Sequence, residues 1–425
     1  MLSRLLVLLI IVLLFFGVDY YVYQALKWLP DPWRRPAQIV SLVLSVGSVV
    51  SLLLFFLIPG FQGSTVRNFL ISIVFANLLV KLFAGIFVLF DDIVRLGKWI
   101  FAHFSENSIS KNPETPPADA GLGAGRIPRS EFLVKAAVLA GTVPLIGTGY
   151  GILIGAHDYR IRRVTLRLRN LPKSFDGMRI AQLSDIHSGS FFNKRAVAGG
   201  VEMLLREKPD VVFFTGDLVN NTADEVQDYI SVFQKVKAPL GVFSTLGNHD
   251  YGDYVAWESP AAKARNLQDL QHVHKLLGWD LLMDENRTLR QGGDELSIIG
   301  IQNWGKSFVK HGDLAKAHRN TGNAAVKLLL SHDPSHWDAQ VRPQYPDIDV
   351  AFAGHTHGAQ FGVEIGGIKW SPVKYMYPQW AGLYEQPTAS GGIQRLYVNR
   401  GFGYLGFPGR VGMPPEITVF ELERT

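Results

Sequence analysis

The sequence contains no cysteine among its 425 residues. Disulfide bonds and cysteine-ligated zinc sites are therefore excluded. The excess of basic over acidic residues is also small, with 42 Lys and Arg against 37 Asp and Glu. Nucleic-acid-binding domains carry a concentrated basic face, so this composition gives no support for nucleic acid as a partner. Any metal site in this chain must use histidine, carboxylate or amide ligands.

Long apolar runs are confined to the N-terminal part of the chain, and they predict an α-helical transmembrane region over residues 1–156. A helix needs roughly 20 apolar residues to cross a bilayer. We predict about four spans, which are Leu5–Val18, Ile39–Ile58, Phe69–Phe90 and Phe132–Ala156. A secretory signal is the alternative for the first of them, but no convincing small-residue cleavage site follows it. Residues 105–129 are rich in Pro, Asn, Ala and Gly without periodicity and are predicted to form a linker.

The basic residues of the short loops predict the orientation in the membrane, because Lys and Arg are enriched on the cytoplasmic side. With four spans, the loops 27–37 and 91–131 share one side of the membrane. These loops carry Lys27, Arg34, Arg35, Arg95, Lys98, Lys111, Arg126 and Arg129. The short loops of the opposite side carry only Arg4 and Arg67. This difference predicts an extracytoplasmic C-terminal part, whereas the basic run from Arg160 to Arg169 favours the opposite orientation.

Strand and helix patterns alternate along residues 157–425, which predicts a separate α/β domain. Apolar runs of strand length lie at residues 178–183, 211–214, 242–246, 296–301, 326–330, 350–353, 395–398 and 416–422. Apolar residues with helical spacing lie at 194–207 and 223–236. In such sheets, ligands gather at the carboxyl ends of the strands. The residues that follow the apolar runs are therefore the candidate site.

Five polar clusters each follow one of these runs directly. They are Asp185-Ile186-His187, Gly216-Asp217, Gly247-Asn248-His249-Asp250, Ser331-His332-Asp333 and Gly354-His355-Thr356-His357. Side chains two apart in extended backbone point the same way, so we expect Asp185 and His187 to share one metal ion. His355 and His357 repeat this arrangement. A carboxylate such as that of Asp217 has two oxygens and can bridge two cations.

The residue types of these clusters indicate the chemistry. Imidazole, carboxylate and amide ligands suit Mn(II), Fe and Zn(II). Two such ions side by side deprotonate a bridging water near neutral pH and make it a nucleophile for phosphorus. Gly216, Gly247 and Gly354 are expected to let the backbone turn tightly where a substrate approaches. The clusters therefore predict a binuclear metal-dependent phosphoesterase.

Several longer motifs resemble the calcineurin-like metallophosphoesterase superfamily, in particular its YaeI/YkuE-type membrane-associated branch. They include Leu183-Ser184-Asp185-Ile186-His187, Leu246-Gly247-Asn248-His249-Asp250, Gly354-His355-Thr356-His357-Gly358 and Asn399-Arg400-Gly401. The resemblance covers about residues 160 to 423. It implies a catalytic domain of two packed mixed β-sheets flanked by helices, which follows the transmembrane region in the bacterial cytoplasmic membrane.

The resemblance also implies two divalent metal ions, with manganese favoured over iron or zinc. It implies that one ion is held by Asp185, His187, Asp217 and His357. It implies that the second ion is held by Asp217, Asn248, His332 and His355, with Asp217 as the bridge. His249 is expected to face the leaving-group oxygen, and Asp250 is expected to orient the His249 imidazole.

Two arginines, an aromatic segment and one lysine are further candidates. Arg400 and Arg410 are predicted to contact a second phosphate of the substrate. The aromatic residues between Gln360 and Gly401 form either a packed loop or a lip that meets a lipid or sugar part of the substrate. Lys81, inside a predicted span, marks either a site between helices or a residue that snorkels or pairs within the bundle.

Together these features predict a membrane-anchored enzyme that hydrolyses phosphodiester or pyrophosphate bonds with a metal-bridging hydroxide. A lipid- or nucleotide-linked phosphate ester and the lipid bilayer are the expected partners. A phosphomonoesterase or a protein phosphatase is the alternative within the same chemistry. A membrane sensor whose C-terminal domain only binds metal and ligand is the alternative from a different class.

Overall fold

The computed structural model describes residues 2–57, 65–106, 130–389 and 391–425. The chain divides into two compact units, residues 1–59 with 70–149 and residues 60–69 with 150–425. The N-terminal helices are α1 (Leu2–Leu26), α2 (Asp31–Leu57), α3 (Thr65–Glu106) and α4 (Glu131–Leu153). Most of the predicted linker, from residue 107 to residue 129, lies outside the described residues.

Three helical stretches in the described ranges are long and apolar enough to cross a bilayer. They are Asp31–Leu54, Asn68–Phe104 and Glu131–His157. They overlap the second, third and fourth predicted spans. The first predicted span lies within α1, where most of its side chains are outside the described residues.

Two details of these helices refine the sequence prediction. Helix α3 continues well beyond Phe90, into the segment that was predicted to be a loop. Its 42 residues extend over about 63 Å, which is longer than the roughly 30 Å hydrocarbon core. Lys81 of α3 is buried, and its ammonium nitrogen lies 3.2 Å from the Asp19 carboxylate of α1. Lys81 is therefore paired within the helix bundle, which was one of its predicted alternatives.

The C-terminal unit alternates strands with short helices. Its strands are β1 (Arg160–Leu168), β2 (Arg179–Leu183), β3 (Val211–Thr215), β4 (Val242–Thr245), β5 (Asp280–Leu281), β6 (Glu285–Gln291), β7 (Asp294–Gly300), β8 (Val326–Leu330), β9 (Val350–Ala353), β10 (Val363–Ile365), β11 (Ile368–Trp370), β12 (Gly382–Pro387), β13 (Ile393–Val398) and β14 (Glu416–Arg424). Its α-helices are α5 (Lys194–Arg206), α6 (Ile230–Phe233), α7 (Pro260–Leu277), α8 (Leu314–Ala317) and α9 (Arg342–Gln344).

The strands form two six-stranded sheets and a separate β10–β11 hairpin. The first sheet has the order β1-β14-β2-β3-β4-β5, and the second has the order β12-β13-β9-β8-β7-β6. In the first sheet, β14 and β2 are antiparallel and the other neighbours are parallel. In the second sheet, the edge strands β12 and β6 are antiparallel to their neighbours. Both sheets are mixed, which confirms the predicted fold class.

The two sheets pack face to face because alternate side chains of each strand point to opposite faces. Phe213 of β3 and Phe352 of β9 meet between the sheets, with ring centroids 5.1 Å apart. The opposite face of the first sheet packs against α5 and α7. Trp337 and Val341 pack against the outer face of the second sheet. The result is a helix–sheet–sheet–helix arrangement of four layers.

The segment 223–236 differs from its predicted helix. It begins as the 3-10 helix Ala223–Tyr229 and continues in the single turn of α6. The Glu225 carboxylate accepts backbone N–H bonds from Asn220, Asn221 and Thr222. These bonds tie the first turn to the loop after β3.

We predict that Phe213→Ala destabilises the C-terminal unit strongly, because Phe213 is fully buried between the sheets. Truncating a buried phenylalanine costs about 3–5 kcal/mol in free energy of unfolding. Thermal unfolding of the detergent-purified chain, followed by tryptophan fluorescence, measures the change. Leu276→Ala on the exposed face of α7 is the control. Equal shifts of the unfolding midpoint in both variants would contradict the burial of Phe213 between the sheets.

Candidate metal centre

The five polar clusters lie at the ends of parallel strands, where the two sheets meet at one edge. Strands β2, β3 and β4 precede the clusters that contain Asp185, Asp217 and Asn248, respectively. Strands β8 and β9 precede those that contain His332 and His355. Parallel strands point their carboxyl ends in one direction. Clusters separated by up to 172 positions in the sequence (Asp185 to His357) therefore share one edge.

Asp185, His187 and His357 form one buried group. One ligand atom from each lies within 4.8 Å of the others. The Nε2 atoms of His187 and His357 are 3.0 Å apart. His357 Nε2 also lies 3.3 Å from Asp185 Oδ1. Two imidazole nitrogens and a carboxylate oxygen therefore converge on one point.

Asp217, His332 and His355 form a second group, with ligand atoms within 4.8 Å of one another. His332 Nε2 lies 3.1 Å from Asp217 Oδ2. His355 Nδ1 lies 3.3 Å from His332 Nε2 and 2.8 Å from Asn248 Oδ1. The amide oxygen of Asn248 therefore adds a fourth donor to this group.

One carboxylate oxygen lies between the two groups. Asp217 Oδ2 is 3.5 Å from His187 Nε2 of the first group and 3.1 Å from His332 Nε2 of the second. Its other oxygen accepts a bond of 2.9 Å from the His249 backbone N–H. Asp217 is thus held at the junction, where its Oδ2 is close to the ligand atoms of both groups.

The donor set fits two divalent cations. Burial raises the pKa of the Asp185 carboxyl to about 6. Burial lowers the pKa of the His187 imidazole to about 3, which keeps it in the neutral form that binds metal. A cation at this position would stabilise the Asp185 carboxylate, which burial alone destabilises. Carboxylate, imidazole and amide donors are ligands of Mn, Fe and Zn.

Most of these ligands have a backbone conformation that non-glycine residues rarely adopt. Five of them adopt the left-handed conformation that favours glycine: Asp185, His187, Asp217, His355 and His357, with φ between 50° and 71°. Such residues cost about 1–3 kcal/mol each and concentrate at functional sites. We predicted extended backbone at Asp185 and His187, and this prediction was wrong. The side chains converge because the chain turns sharply at each ligand, rather than through strand alternation.

Two glycines make room for the ligands. A Cβ atom on Gly247 would collide with the Asp217 carboxylate. A Cβ atom on Gly354 would collide with the Asp185 carboxylate and with Ser184. These glycines were predicted to allow the approach of a substrate. The structure shows instead that they allow the approach of a carboxylate from a neighbouring strand end.

His249 lies at the junction of the two groups. Its Nδ1 is 2.8 Å from the carbonyl oxygen of Asn220. Because a carbonyl can only accept, Nδ1 carries the hydrogen and donates the hydrogen bond. The ring stands edge-on to His187, with centroids 5.0 Å apart. It also packs against the Tyr254 ring at 4.4 Å. The imidazole is therefore oriented by a backbone carbonyl and an aromatic neighbour.

Asp250 has different partners from those predicted. Its carboxylate accepts backbone N–H bonds from Asp217, Leu218, Val219 and Gly247. No bond to the His249 imidazole is present among the described residues. Asp250 therefore holds together the turns after β3 and β4, because four backbone donors from these turns already surround its carboxylate.

Arg400 and Arg410 are 2% and 1% exposed. Arg400 forms ion pairs with Glu416 and Glu364, at 2.5 and 3.0 Å. Arg410 donates bonds of 2.8 Å to the backbone carbonyls of Gly403 and Arg400. Arg410 Nη2 also lies 3.2 Å from His357 Nδ1. Both guanidinium groups therefore bond to the protein behind the ligands.

Tyr377 and Tyr254 contact the site but were not among the predicted site residues. The Tyr377 hydroxyl lies 2.8 Å from His355 Nε2. The Tyr254 hydroxyl accepts a bond of 2.8 Å from Asn248 Nδ2. Tyr377 belongs to the aromatic segment that we predicted to be a loop or a lip. Tyr254 lies six positions after Asn248, but no residue pattern marks either tyrosine as a partner of a ligand.

Two family models match the chain. Residues 178–359 match the model described as calcineurin-like phosphoesterase. Residues 3–156 match the model described as the transmembrane domain of a probable calcineurin-like phosphoesterase. Together they cover both the apolar helices and the strand ends that carry all seven candidate metal ligands.

Three relatives show how far the similarity extends. The uncharacterized metallophosphoesterase YkuE of Bacillus subtilis is 27% identical over 282 residues, which cover 66% of this chain and 91% of that protein. A transmembrane protein with metallophosphoesterase domain from Danio rerio is 28% identical over 294 residues, which cover 68% of this chain but only 62% of that protein. The UDP-2,3-diacylglucosamine pyrophosphatase LpxG of Chlamydia trachomatis is 28% identical over 305 residues, covering 60% of this chain and 88% of that protein.

We predict that Gly354→Ala lowers the amount of bound metal, because the new methyl group displaces the Asp185 carboxylate. The measurement is metal content per chain by elemental analysis, after loading with Mn(II) and removal of the excess. Gly199→Ala on α5 is the matched control, since a Cβ there meets open space. Equal metal contents in the two variants would contradict the proposed role of Asp185 as a ligand.

Proposed function

Because the chain belongs to the calcineurin-like metallophosphoesterases, we propose that it hydrolyses phosphodiester or pyrophosphate bonds of a lipid-linked substrate at a membrane. Family membership confirms the resemblance predicted from the motifs. It makes the chain a metal-dependent phosphoesterase of a membrane-associated type. The observation that carries the finer proposal is the position of Asp217 Oδ2 between two groups of imidazole ligands.

We assign two divalent ions to the two groups. The first would be held by Asp185, His187, Asp217 and His357. The second would be held by Asp217, Asn248, His332 and His355. When bound, two such ions would neutralise the phosphoryl oxygens and lower the pKa of an attacking water. Asp217 would set the spacing between the ions, because the same oxygen faces both groups.

His249 is assigned the proton transfer to the leaving group. Its Nδ1–H donates to the Asn220 carbonyl, which leaves Nε2 as the nitrogen that exchanges a proton with the substrate. Imidazole is the side chain most often used for general acid–base catalysis. The ring is partly buried and lies beside His187. A leaving oxygen on a phosphorus at the metal centre would therefore lie within its reach.

The two buried arginines and Asp250 are assigned positioning roles. Arg410 supports His357 through its Nδ1 and through the neighbouring backbone carbonyls. Arg400 joins Glu416 to Glu364. Asp250 ties the backbone of Asp217 to that of Gly247. These contacts support the proposal that all three residues act through other residues, in place of the predicted contact with phosphate and of the predicted bond to His249.

The proposed substrate class follows from the membrane anchor. A lipid-linked phosphate ester lies at the bilayer surface. An enzyme anchored by apolar helices can bind such a substrate while the lipid part stays in the bilayer. The relative LpxG is named as a pyrophosphatase of a diacylated nucleotide sugar, which supports a lipid-linked substrate for this chain.

The charge of the short loops supports an extracytoplasmic catalytic domain in a bacterial cytoplasmic membrane. We therefore favour a lipid phosphodiester over a nucleotide-linked lipid.

We predict that detergent-purified chain, stripped of metal and refilled with Mn(II), hydrolyses bis(p-nitrophenyl) phosphate. Asp217→Ala should lose both activity and bound metal. His249→Ala should keep its metal and lose about 10²–10⁴-fold in rate on esters with alkoxide leaving groups. The loss should be smaller with p-nitrophenolate, which leaves without a proton. His272→Ala on the exposed side of α7 is the control.

Three results would contradict parts of this proposal. If His249→Ala lowers the rate equally for substrates with good and poor leaving groups, His249 is not the proton donor. If Asp217→Ala keeps full activity, the reaction does not depend on a carboxylate shared by two ions. Two bound ions without turnover of any phosphodiester, pyrophosphate or phosphomonoester would favour the sensor alternative.

We predict that Gln386→Cys on β12 reacts with a membrane-impermeant maleimide in intact cells that express the full chain. The natural chain has no cysteine, so each label reports a single position. Arg35→Cys, near the exposed start of α2 and on the side assigned to the cytoplasm, should react only after permeabilisation. The reverse pattern would place the catalytic domain in the cytoplasm and would favour a nucleotide-linked lipid as substrate.

A further inference from the structure

The β10–β11 hairpin stands apart from both six-stranded sheets. Its antiparallel strands pair Val363 with Trp370, Glu364 with Lys369, and Ile365 with Ile368. Gly366 and Gly367 form its tip, both with positive φ. This two-residue turn is typical of a tight hairpin. Side chains alternate across such a ribbon, so Glu364 and Lys369 share one face and the apolar residues share the other.

The charged face of the hairpin is turned toward the domain. Glu364 forms ion pairs with Arg162 of β1 and with the buried Arg400. The Lys369 ammonium donates to the Ala381 carbonyl and lies 4.7 Å from the centre of the Trp380 ring. Both charged residues are therefore bonded to the body of the domain.

The apolar face of the hairpin is turned outward. Val363, Ile365 and Ile368 are 42%, 75% and 66% exposed, respectively. An antiparallel ribbon that faces water normally buries its apolar side chains and exposes its polar ones. In this hairpin Ile365 and Ile368 are exposed, whereas Glu364 is half-buried and the exposed Lys369 turns its ammonium to the domain. Ile365 and Ile368 are the most exposed of the three, whereas Val363 is partly covered.

The hairpin lies beside the end of a candidate membrane span. Tyr150 of α4 and Gly155 line the same hollow, of about 270 Å³, as Val363 and Ile365. The Gly151 carbonyl accepts a bond of 3.0 Å from the Arg410 backbone N–H. These residues belong to the stretch Glu131–His157, which is long and apolar enough to cross a bilayer. The exposed apolar face is therefore close to the point where that stretch ends.

We propose that the apolar face of the β10–β11 hairpin inserts into the lipid–water interface of the bilayer that α4 crosses. Three observations carry this inference: the inverted polarity of the hairpin, the exposure of its isoleucines, and its position beside the end of a span. Transfer of exposed isoleucine side chains from water to the acyl region lowers the free energy. The ion pairs of Glu364 would hold the hairpin in this orientation.

Insertion would also determine how the metal centre faces the membrane. The hairpin lies in the chain between His357 and Tyr377, both of which contact the centre. Membrane contact by the hairpin does not depend on the proposed reaction, and its test measures insertion rather than turnover.

The absence of native cysteine allows a direct test. Ile365→Cys and Ile368→Cys are labelled singly with the environment-sensitive fluorophore NBD in the full chain. The labelled chains are reconstituted in phosphatidylcholine vesicles with and without doxyl-labelled lipid. We expect a blue-shifted emission and quenching by the doxyl lipid at both positions. Thermal unfolding of the labelled chains checks that the substitutions, which lie on exposed side chains, leave the fold intact.

Ile393→Cys is the matched control. It is also a partly exposed isoleucine in a strand, but it lines the same hollow as Leu168, at the opposite end of β1 from Arg162. Arg162 pairs with the hairpin. Six residues at about 3.3 Å each place Leu168 roughly 20 Å from Arg162. Quenching at 365 and 368 without quenching at 393 would establish insertion. Quenching at 365 and 368 no greater than at 393 would overturn the proposal and leave a protein partner as the occupant of this face.

Discussion

The Asp217 carboxylate is the contact on which the site depends. One of its oxygens faces the ligand atoms of both imidazole groups, and the other accepts the backbone N–H of His249. Gly247 leaves the space that this carboxylate occupies. Asp250, through four backbone N–H bonds, holds the turn of Asp217 against the turn of Gly247. A buried cluster of charged and polar groups is thereby supported from behind, as pre-organised sites require.

Much of the C-terminal unit could be predicted from the sequence. The apolar runs 326–330 and 350–353 coincide with β8 and β9, and the other six predicted runs match β2, β3, β4, β7, β13 and β14 to within two residues at each end. These strands are buried on both faces and therefore read as continuous apolar runs. The short or exposed strands β5, β6, β10, β11 and β12 follow none of these runs. The helix predicted over 223–236 is present as a 3-10 helix followed by one α-turn, which ends at Phe233.

The contacts among the site residues could not be predicted from the sequence. Residue types and spacing identified the clusters, but the reason given for Asp185 and His187 was wrong, since both adopt left-handed backbone. The partners of His249 and Asp250 could not be predicted, because most of them are backbone groups of the loop after β3. Tyr377 reaches His355 through a loop that carries no recognisable motif. The β10–β11 hairpin shows its inverted polarity only when the partners of Glu364 and Lys369 are known.

The most direct test of the account is electron paramagnetic resonance of the full chain loaded with Mn(II), together with its metal content. Two ions that share the Asp217 carboxylate should give two Mn(II) per chain and an exchange-coupled spectrum. Asp217→Ala should remove the coupling. One ion per chain, or two uncoupled ions in the natural chain, would contradict a shared carboxylate and with it the proposed mechanism.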